Sequence, residues 1–421
     1  MRSGGAGLLM GLSAILVAAA PASGRASSLE WSVLRGIERH PEVRVAQAEV
    51  SQALLQLQMV RNAYLPTVSA ATGPAAAGLG YEVSLSQPLY DWGQARGLGD
   101  QRRALLAVEE ASLEITRDDV ALQVVEAYLD VVQARTFLTY LDEHLKRLQV
   151  LGGMTAARVE GRYADQSEAG RVNLAVAAAE GTRARIQGDL AEAVGRYELL
   201  VEAPPNGLSL PTALPAFLET VADGAALDVA VAASPLYRRA SLAVSAADAG
   251  IRQAKAARLP RLLLEGGTQR REIGGGLVSD SSLALRLRFS SQGLEALQRP
   301  EIERRRREAA VWAAEGEARQ LKTLIGGLVR NDAALGRRID ALADQIAQGE
   351  SVRALYEEQF LVGRRDIQDL VIMETEGFES RRQKVELVIE RLRLQYRAAA
   401  QLGRLTQAMA GDELQSVAVQ P

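Results

Sequence analysis

Two stretches of this chain are versions of one another. Residues 40–66 read HPEVRVAQAEVSQALLQLQMVRNAYLP, and residues 234–260 read SPLYRRASLAVSAADAGIRQAKAARLP. They align without a gap, and each has a proline near its start and a Leu-Pro pair at its end. Proline suits the first turn of a helix, whereas the residue before a proline tends to end one. Each stretch therefore predicts a helix, the first running from Leu29 to Ala63, and their agreement predicts a duplicated chain.

The duplication continues beyond these helices. Residues 159–162 (VEGR) recur in the second half as residues 361–364 (LVGR). A proline-rich stretch that opens APPNG at residue 203 separates the halves. The sequence therefore predicts a signal peptide over 1–26, a first repeat over 27–202, a linker over 203–233, a second repeat over 234–410 and a flexible tail over 411–421.

Residues 1–26 have the pattern of a secretory signal peptide. Arg2 precedes a short apolar run, which small residues follow, and cleavage after Gly24 or Ala26 fits. The chain has no cysteine, which excludes disulfides, a thiol nucleophile and an acylated N-terminal cysteine. Beyond residue 26 no apolar run is long enough for a transmembrane helix. We expect an exported protein whose attachment to a membrane would come from its fold.

The composition excludes several functional classes. A formal net charge of −3 gives no electrostatic footprint for nucleic acid. The chain has two histidines, His40 and His144, which we expect on helix surfaces. It lacks a glycine-rich phosphate loop, a Ser-His-Asp arrangement and a metal-ligand cluster. We therefore expect no enzyme, no cofactor and no metal.

Each half contains a pair of candidate strands, at about residues 67–89 and 261–289. In the first pair Tyr81, Val83 and Leu85 alternate with polar residues, Glu82 among them. In the second, leucines at 283, 285 and 287 alternate with Ala284, Arg286 and Arg288. Such alternation predicts two β-hairpins with one apolar and one polar face. It fits a half-exposed soluble sheet as well as a membrane barrel around water.

Long helical stretches follow each hairpin. One runs from Gln94 to about Leu151 without a proline, and Gly152-Gly153 is predicted to end it. Return helices are predicted from about Asp165 to Val201 and from Asp366 to Met409, the second after a break at Gly363. Apolar residues at intervals of three, four and seven predict coiled-coil packing. The fold class is mainly α with a small β part, a duplicated repeat of long coiled-coil helices with two β-hairpins.

Several short stretches occur in a fixed order along the chain: HPEV (40–43), LP (65–66), QPLYDWG (87–93), YLDV (128–131) and Gly363 with Asp369. In these stretches the chain resembles the TolC-like outer-membrane channels of efflux pumps and type I secretion systems. The resemblance implies a homotrimer with a twelve-stranded β-barrel in outer-membrane lipid and a trimeric α-helical barrel across the periplasm. It implies a passive exit duct for protein or small molecules, with a periplasmic adaptor and an inner-membrane transporter as partners.

The resemblance also implies a gate at the periplasmic end. Asp369 matches a ring carboxylate and Arg365 a linking arginine, whereas Phe360, Ser167 and Ile372 stand where the family has other gate residues. Nearby carboxylates that could substitute are Asp165, Glu168, Asp366 and Glu374. Candidates for the barrel lumen are Arg286, Arg288 and Glu82.

A soluble periplasmic coiled-coil adaptor is the alternative. An adaptor would show one helical hairpin inserted into compact β domains, with strands clustered near both ends of the chain. Here helices dominate both halves, and each predicted hairpin lies in the middle of its repeat. The arrangement therefore favours the channel.

Overall fold

The computed structural model describes residues 28–75, 78–163, 165–211, 218, 220–273, 276–289 and 295–410. The predicted signal peptide, 1–26, and the predicted tail, 411–421, lie outside these ranges. Long helices and one antiparallel sheet make up the described chain, which confirms a mainly α fold with a small β part. None of the described helices contains a segment long and apolar enough to cross a membrane.

The two halves repeat one order of elements: two helices, a hairpin, a very long helix and a return helix. The first half contains α1 (Leu29–Arg39), α2 (Pro41–Arg61), β1 (Thr67–Ala75), β2 (Gly78–Tyr90), α3 (Gln94–Glu160) and α4 (Gln166–Val201). The second contains α5 (Gly224–Ala233), α6 (Pro235–Ala256), β3 (Arg261–Ile273), β4 (Gly276–Arg288), α7 (Glu295–Leu361) and α8 (Ile367–Gln401). A short helical segment over residues 405–410 follows α8. Both long helices, α3 and α7, span 67 residues.

The prediction of one continuous helix from Leu29 to Ala63 is wrong. His40 adopts an extended conformation between α1 and α2, and its Nδ1 accepts the Glu42 N–H at 3.3 Å. The second half breaks in the same way at Ser234, whose hydroxyl caps α6. The residue before a proline disfavours helical geometry, so each matched proline begins a new helix. Residues 224–233, which the prediction assigned to the linker, accordingly form α5.

The prediction that Gly152-Gly153 ends the first long helix is also wrong. Helix α3 runs on to Glu160, and Arg162 leaves it with φ +59°. Each glycine costs a helix interior roughly 1 kcal/mol relative to alanine. Tertiary packing outweighs that cost, because Leu151 and Thr155 are buried on either side of the pair. In the second half Gly363, with φ +75°, does follow the end of α7 as predicted.

The strands form one sheet in the order β1-β2-β3-β4, so the two hairpins are joined edge to edge. Leu85, Gly266 and Leu283 are aligned across β2, β3 and β4, and so are Glu82, Gln269 and Asp280. Side chains alternate between the faces of a strand, and these two rows therefore lie on opposite faces. The apolar face is open: Leu283, Leu285 and Leu287 are each at least 65% exposed.

Helix α3 is the central element of the helical part and contacts α1, α2, α4, α6 and α8. Two groups of buried side chains matter for function. A central cluster joins α1, α3, α4 and α8 and includes Leu29, Val33, Val124, Tyr128, Tyr197, Ile389, Tyr396, Leu405 and Met409. A turn-end cluster joins α3, α4, α7 and α8 and includes Leu141, Leu145, Leu148, Val172, Phe360, Ile367, Leu370 and Phe378. Both clusters unite the two halves of the chain.

Candidate functional site

The α3–α4 and α7–α8 turns lie at the same end of the molecule. Arg171 of α4 donates a hydrogen bond to Gln368 of α8, and the Arg158 guanidinium lies 4.5 Å from the centre of the Phe360 ring. Beneath the turns, Ile367 is fully buried in the turn-end cluster. The predicted gate residues of the two halves are therefore brought to one end of the fold.

Two of the predicted gate carboxylates cap the return helices. Asp165 accepts the Ser167 N–H at 2.7 Å, and Asp366 accepts the Gln368 N–H at 3.1 Å. Hydrogen bonds from the side chain and the backbone of Ser167 lower the pKa of Asp165. Carboxylates at helix N-termini are also favoured by the helix dipole. These two residues thus shape the turns as well as placing negative charge there.

Arg365 and Asp369 form an ion pair within the second turn. The Arg365 Nη1 lies 2.9 Å from the Asp369 Oδ2, and its Nε donates to Gln359 at 3.0 Å. The guanidinium stacks 3.9 Å from the centre of the Tyr356 ring. All three contacts lie within α7, the turn and α8. Among the residues described, neither Asp165 nor Glu168 contacts Arg365 through an ion pair or hydrogen bond.

Three residues differ from the gate pattern of the TolC-like channels, and the structure gives the surroundings of each. Phe360 is buried against Arg158, and Ser167 bonds the Asp165 carboxylate, whereas Ile372 is 43% exposed. The Oε2 atom of Glu168 is buried and accepts no hydrogen bond from the described part of the chain. A buried acceptor without a hydrogen bond is energetically costly, so Glu168 offers a contact that a partner group could satisfy.

A buried ion cluster next to the turns was missed by sequence reasoning. His144 of α3, predicted on a helix surface, is buried, and that prediction is wrong. Its Nδ1 lies 3.3 Å from the Oε1 of Glu374, which is buried in α8, and its ring stacks on Phe378. Arg147 of α3 lies 3.4 Å from the other Glu374 oxygen, and Arg381 of α8 lies 3.8 Å from Oε1.

The cluster extends to α7 through Glu350. Arg147 Nη1 lies 3.5 Å from a Glu350 oxygen, Arg381 contacts the same oxygen at 2.5 Å, and Arg353 lies 3.1 Å from the other oxygen. Burial opposes ionisation, but the Arg353 hydrogen bond and the surrounding arginines hold the pKa of Glu350 below its ordinary value. Three helices from both halves are therefore tied together by charge, and the cluster fixes how α3 sits on α7 and α8.

A sequence signal for this cluster did exist. His144 lies between Leu141 and Leu148, and Glu374 lies four residues after Leu370 and four before Phe378. These spacings place both polar residues on the apolar stripes of their helices. A polar residue in such a stripe is buried and requires a partner.

The predicted lumen residues share the polar face of the sheet. Arg286 Nε lies 3.3 Å from Glu265 Oε2, and Arg288 pairs with the other Glu265 oxygen. Glu82 is on the same face, in the row with Gln269 and Asp280. Glu265, which is 17% exposed, was missed because its partners lie on another strand and the register was unknown.

The motif over residues 87–93 has a structural role at the junction of β2 and α3. Asp91 is buried; it accepts the Tyr64 hydroxyl at 2.9 Å and the backbone N–H groups of Gly93 and Ala95 at 3.0 and 2.7 Å. Trp92 and Gly93 both have positive φ, and the Trp92 indole donates to the Pro260 carbonyl at 2.7 Å. The motif starts the long helix and links the two repeats.

Several solved structures with this architecture are outer-membrane channels. The outer membrane protein VceC from Vibrio cholerae superposes with a TM-score of 0.74 at 15% identity, over 89% of this chain and 96% of VceC. The CmeC outer membrane channel of Campylobacter jejuni superposes with a TM-score of 0.74 at 13% identity, over 91% of this chain and 89% of CmeC. CusC superposes with a TM-score of 0.74 at 16% identity, over 90% of this chain and 91% of CusC. No family model and no curated protein matches the sequence. The chain has the fold of the TolC-like channels, and the resemblance seen in the sequence is confirmed at the level of the fold.

Proposed function

We propose that this protein is a channel in the outer membrane that conducts exported substrate across the periplasm and the membrane. The observation that carries the proposal is the sheet, which exposes leucines on one face and charged side chains on the other. A sheet with an apolar outer face and a polar inner face suits a wall between lipid and water. The shared fold with outer-membrane channels supports the same location.

The functional unit is a homotrimer. One chain contributes four strands, and β1 and β4 are the outer strands of its sheet. Unpaired strand edges need partners, above all in lipid, where no water satisfies the backbone. Three copies joined edge to edge would form the twelve-stranded barrel. Large apolar side chains exposed on the helices would be covered by neighbouring copies, including Val45, Met59, Leu174, Leu199 and Trp312.

Conduction is passive, and energy and specificity come from partners. The partners that fit this role are a periplasmic adaptor and an inner-membrane transporter of an efflux or type I secretion system. The end with the α3–α4 and α7–α8 turns would face them. Arg286, Arg288 and Glu82, together with Glu265, would line the lumen of the barrel at the opposite end.

The gate lies at the turns. Three copies of Asp369, with Asp366 nearby, would place a ring of carboxylates around the axis, and such rings attract cations. Arg365 holds Asp369 within each chain, whereas Asp165 and Glu168 supply further negative charge from the first turn. With Ile372 in place of a second carboxylate, one ring would carry the selectivity.

Extraction from the cell envelope and crosslinking test the proposal. We expect extraction only with detergent, and crosslinking of the extract should give a trimer. A folded monomer released into aqueous buffer would contradict the channel and favour the soluble coiled-coil adaptor. Copurification from crosslinked envelopes would then identify the adaptor and transporter.

A further inference from the structure

The chain after α8 is fastened across both repeats. The Ser234 hydroxyl donates to the Gln401 carbonyl at 2.9 Å, and Gly403 packs so closely on the Pro235 ring that a Cβ would collide with it. Leu405 and Met409 are buried in the central cluster beside residues of α1 and α3. Residues 402–410, which we call the C-terminal segment, therefore join the end of the second repeat to the first.

One side chain of α3 receives this segment. Asp118 Oδ1 accepts the Thr406 backbone N–H at 2.8 Å, and it also accepts the Thr406 hydroxyl. Because Thr406 lies in the first turn of the helical segment 405–410, Asp118 acts as its N-terminal cap from another helix. Both bonds end on the same oxygen, so Oδ2 can carry a proton while both bonds persist.

Asp118 is a buried carboxyl with no ion pair to any described residue. It is 3% exposed. The nearby charged groups of α3 are Glu114 and Asp119. On α6, Arg238 forms an ion pair with Glu114, and Arg239 lowers the pKa of Asp119, which Glu42 of α2 raises. Arg404 lies at the start of the segment. Burying a carboxylate without a cation favours the protonated form.

The pKa of Asp118 also favours the protonated form. Burial raises the pKa of Asp118 from 3.8 to about 6; the Thr406 bonds oppose this effect, and Asp119 and Glu114 add to it. When the segment undocks, Asp118 meets water and its pKa returns towards 3.8. The docked form then binds more protons between these values, so docking is strongest below about pH 3.8 and weakens as pH rises through about 6.

We propose that Asp118 and Thr406 form a pH-responsive clasp, which holds the C-terminal segment on α3 more tightly in mild acid than at neutral pH. The clasp is independent of the proposed channel function, because it needs only contacts within one chain. Its dependence on pH is opposite to that of a salt bridge, which acid would weaken. In an envelope protein it would make the junction between the two repeats firmer as the surroundings acidify.

Hydrogen exchange of the full-length protein in detergent tests the clasp. Amide protection of residues 402–410, corrected for the intrinsic pH dependence of exchange, reports the opening equilibrium even when opening is rare. Between about pH 4 and pH 7.5 we expect protection to fall on the order of 100-fold, the factor that a pKa difference of about two implies. Helix α4 serves as the internal reference for changes in global stability.

Three substitutions make the test specific. Asp118→Asn keeps an accepting oxygen without a titrating proton, so protection should become independent of pH. Thr406→Val removes the hydroxyl bond, which lowers the pKa of Asp118, so protection should fall while its dependence on pH persists and becomes no shallower. Asp119→Asn, at the exposed neighbouring position, removes one of the smaller causes of the raised Asp118 pKa, so a clear dependence of protection on pH should remain. A flat profile in the unsubstituted protein, or an unchanged slope in Asp118→Asn, would overturn the proposal.

Discussion

Glu374 of α8 and His144 of α3 face each other in the turn-end cluster, with the carboxylate oxygen 3.3 Å from the imidazole nitrogen. The two residues belong to different halves of the chain, and their helices pack through leucines and phenylalanines on either side. Arg147 and Arg381 complete the surroundings of the Glu374 carboxylate. A polar contact thus sets the register between the halves inside an otherwise apolar seam.

Removing Glu374 should destabilise the helical part. Glu374→Leu removes the acceptor of one Arg147 hydrogen bond and the carboxylate that forms an ion pair with Arg381, and breaking a buried pair costs roughly 3–5 kcal/mol. We expect the lower end of that range, because Glu350 still binds both arginines. Unfolding in denaturant, followed by far-ultraviolet circular dichroism, measures the loss. Glu376→Leu, at an exposed position two residues on, is the control, and equal stability of the two variants would contradict the assignment.

The Asp91 cap should be required to start α3. Asp91→Ala removes the acceptor of three hydrogen bonds, two of them from backbone N–H groups at the start of α3. Loss of a cap costs about 1–2 kcal/mol. Asp100→Ala, which breaks only partly exposed ion pairs to Arg103 and Arg252, should cost less than about 1 kcal/mol. If both variants unfold at the same denaturant concentration, the cap is not what stabilises this junction.

The duplicated architecture could be predicted because it depends on local patterns. Prolines at matched positions revealed the repeat, and strict alternation marked the strands, although the prediction ran the first helix through Pro41 and missed α5 before Pro235. The end of α3 could not be predicted in this way. Gly152-Gly153 is a weak local signal, and burial of Leu151 and Thr155 against other helices outweighs it.

The site could be predicted only in part, because its partners are remote in the sequence. Asp369 was predicted from its match to the TolC-like pattern, and Asp165 and Asp366 were predicted from their nearness in the sequence to the matched gate positions. Glu374 and His144 are 230 residues apart, and their meeting depends on how whole helices pack. Glu265 meets Arg286 only in one strand register, which the sequence alone left open.

The two faces of β4 should respond differently to the same substitution. Leu285 is 65% exposed on the apolar face, and placing arginine there should cost roughly 2–4 kcal/mol near the middle of a bilayer. Ala284→Arg, one residue earlier on the polar face opposite Glu265, is the matched control and should be tolerated. Folding into lipid vesicles across a denaturant series measures both. A greater cost at Ala284 would mean that the faces are reversed.

The charges that the proposed channel places in its lumen should affect conduction without affecting insertion. Arg286→Leu removes one of the two cations that pair with Glu265 and leaves that carboxylate less compensated. We therefore expect a shift towards cation preference, measured as a reversal potential across a salt gradient in planar bilayers. Ser281→Leu, on the opposite face of β4, is the control and should leave the potential unchanged. Equal reversal potentials for Arg286→Leu and the unsubstituted protein would contradict the proposed position of Arg286 in the lumen.

Arg365 and Asp369 form an ion pair, and substituting each of them should change cation preference in opposite directions. Asp369→Ala removes a carboxylate from the proposed ring and should reduce cation preference. Arg365→Ala frees Asp369 from its 2.9 Å partner and removes the stack on Tyr356, so it should increase cation preference and the frequency of opening. Arg364→Ala removes an exposed cation one position earlier and controls for charge alone. Single-channel recording in planar bilayers distinguishes these outcomes. If Arg365→Ala and Asp369→Ala both conduct like Arg364→Ala, the constriction does not lie at this turn.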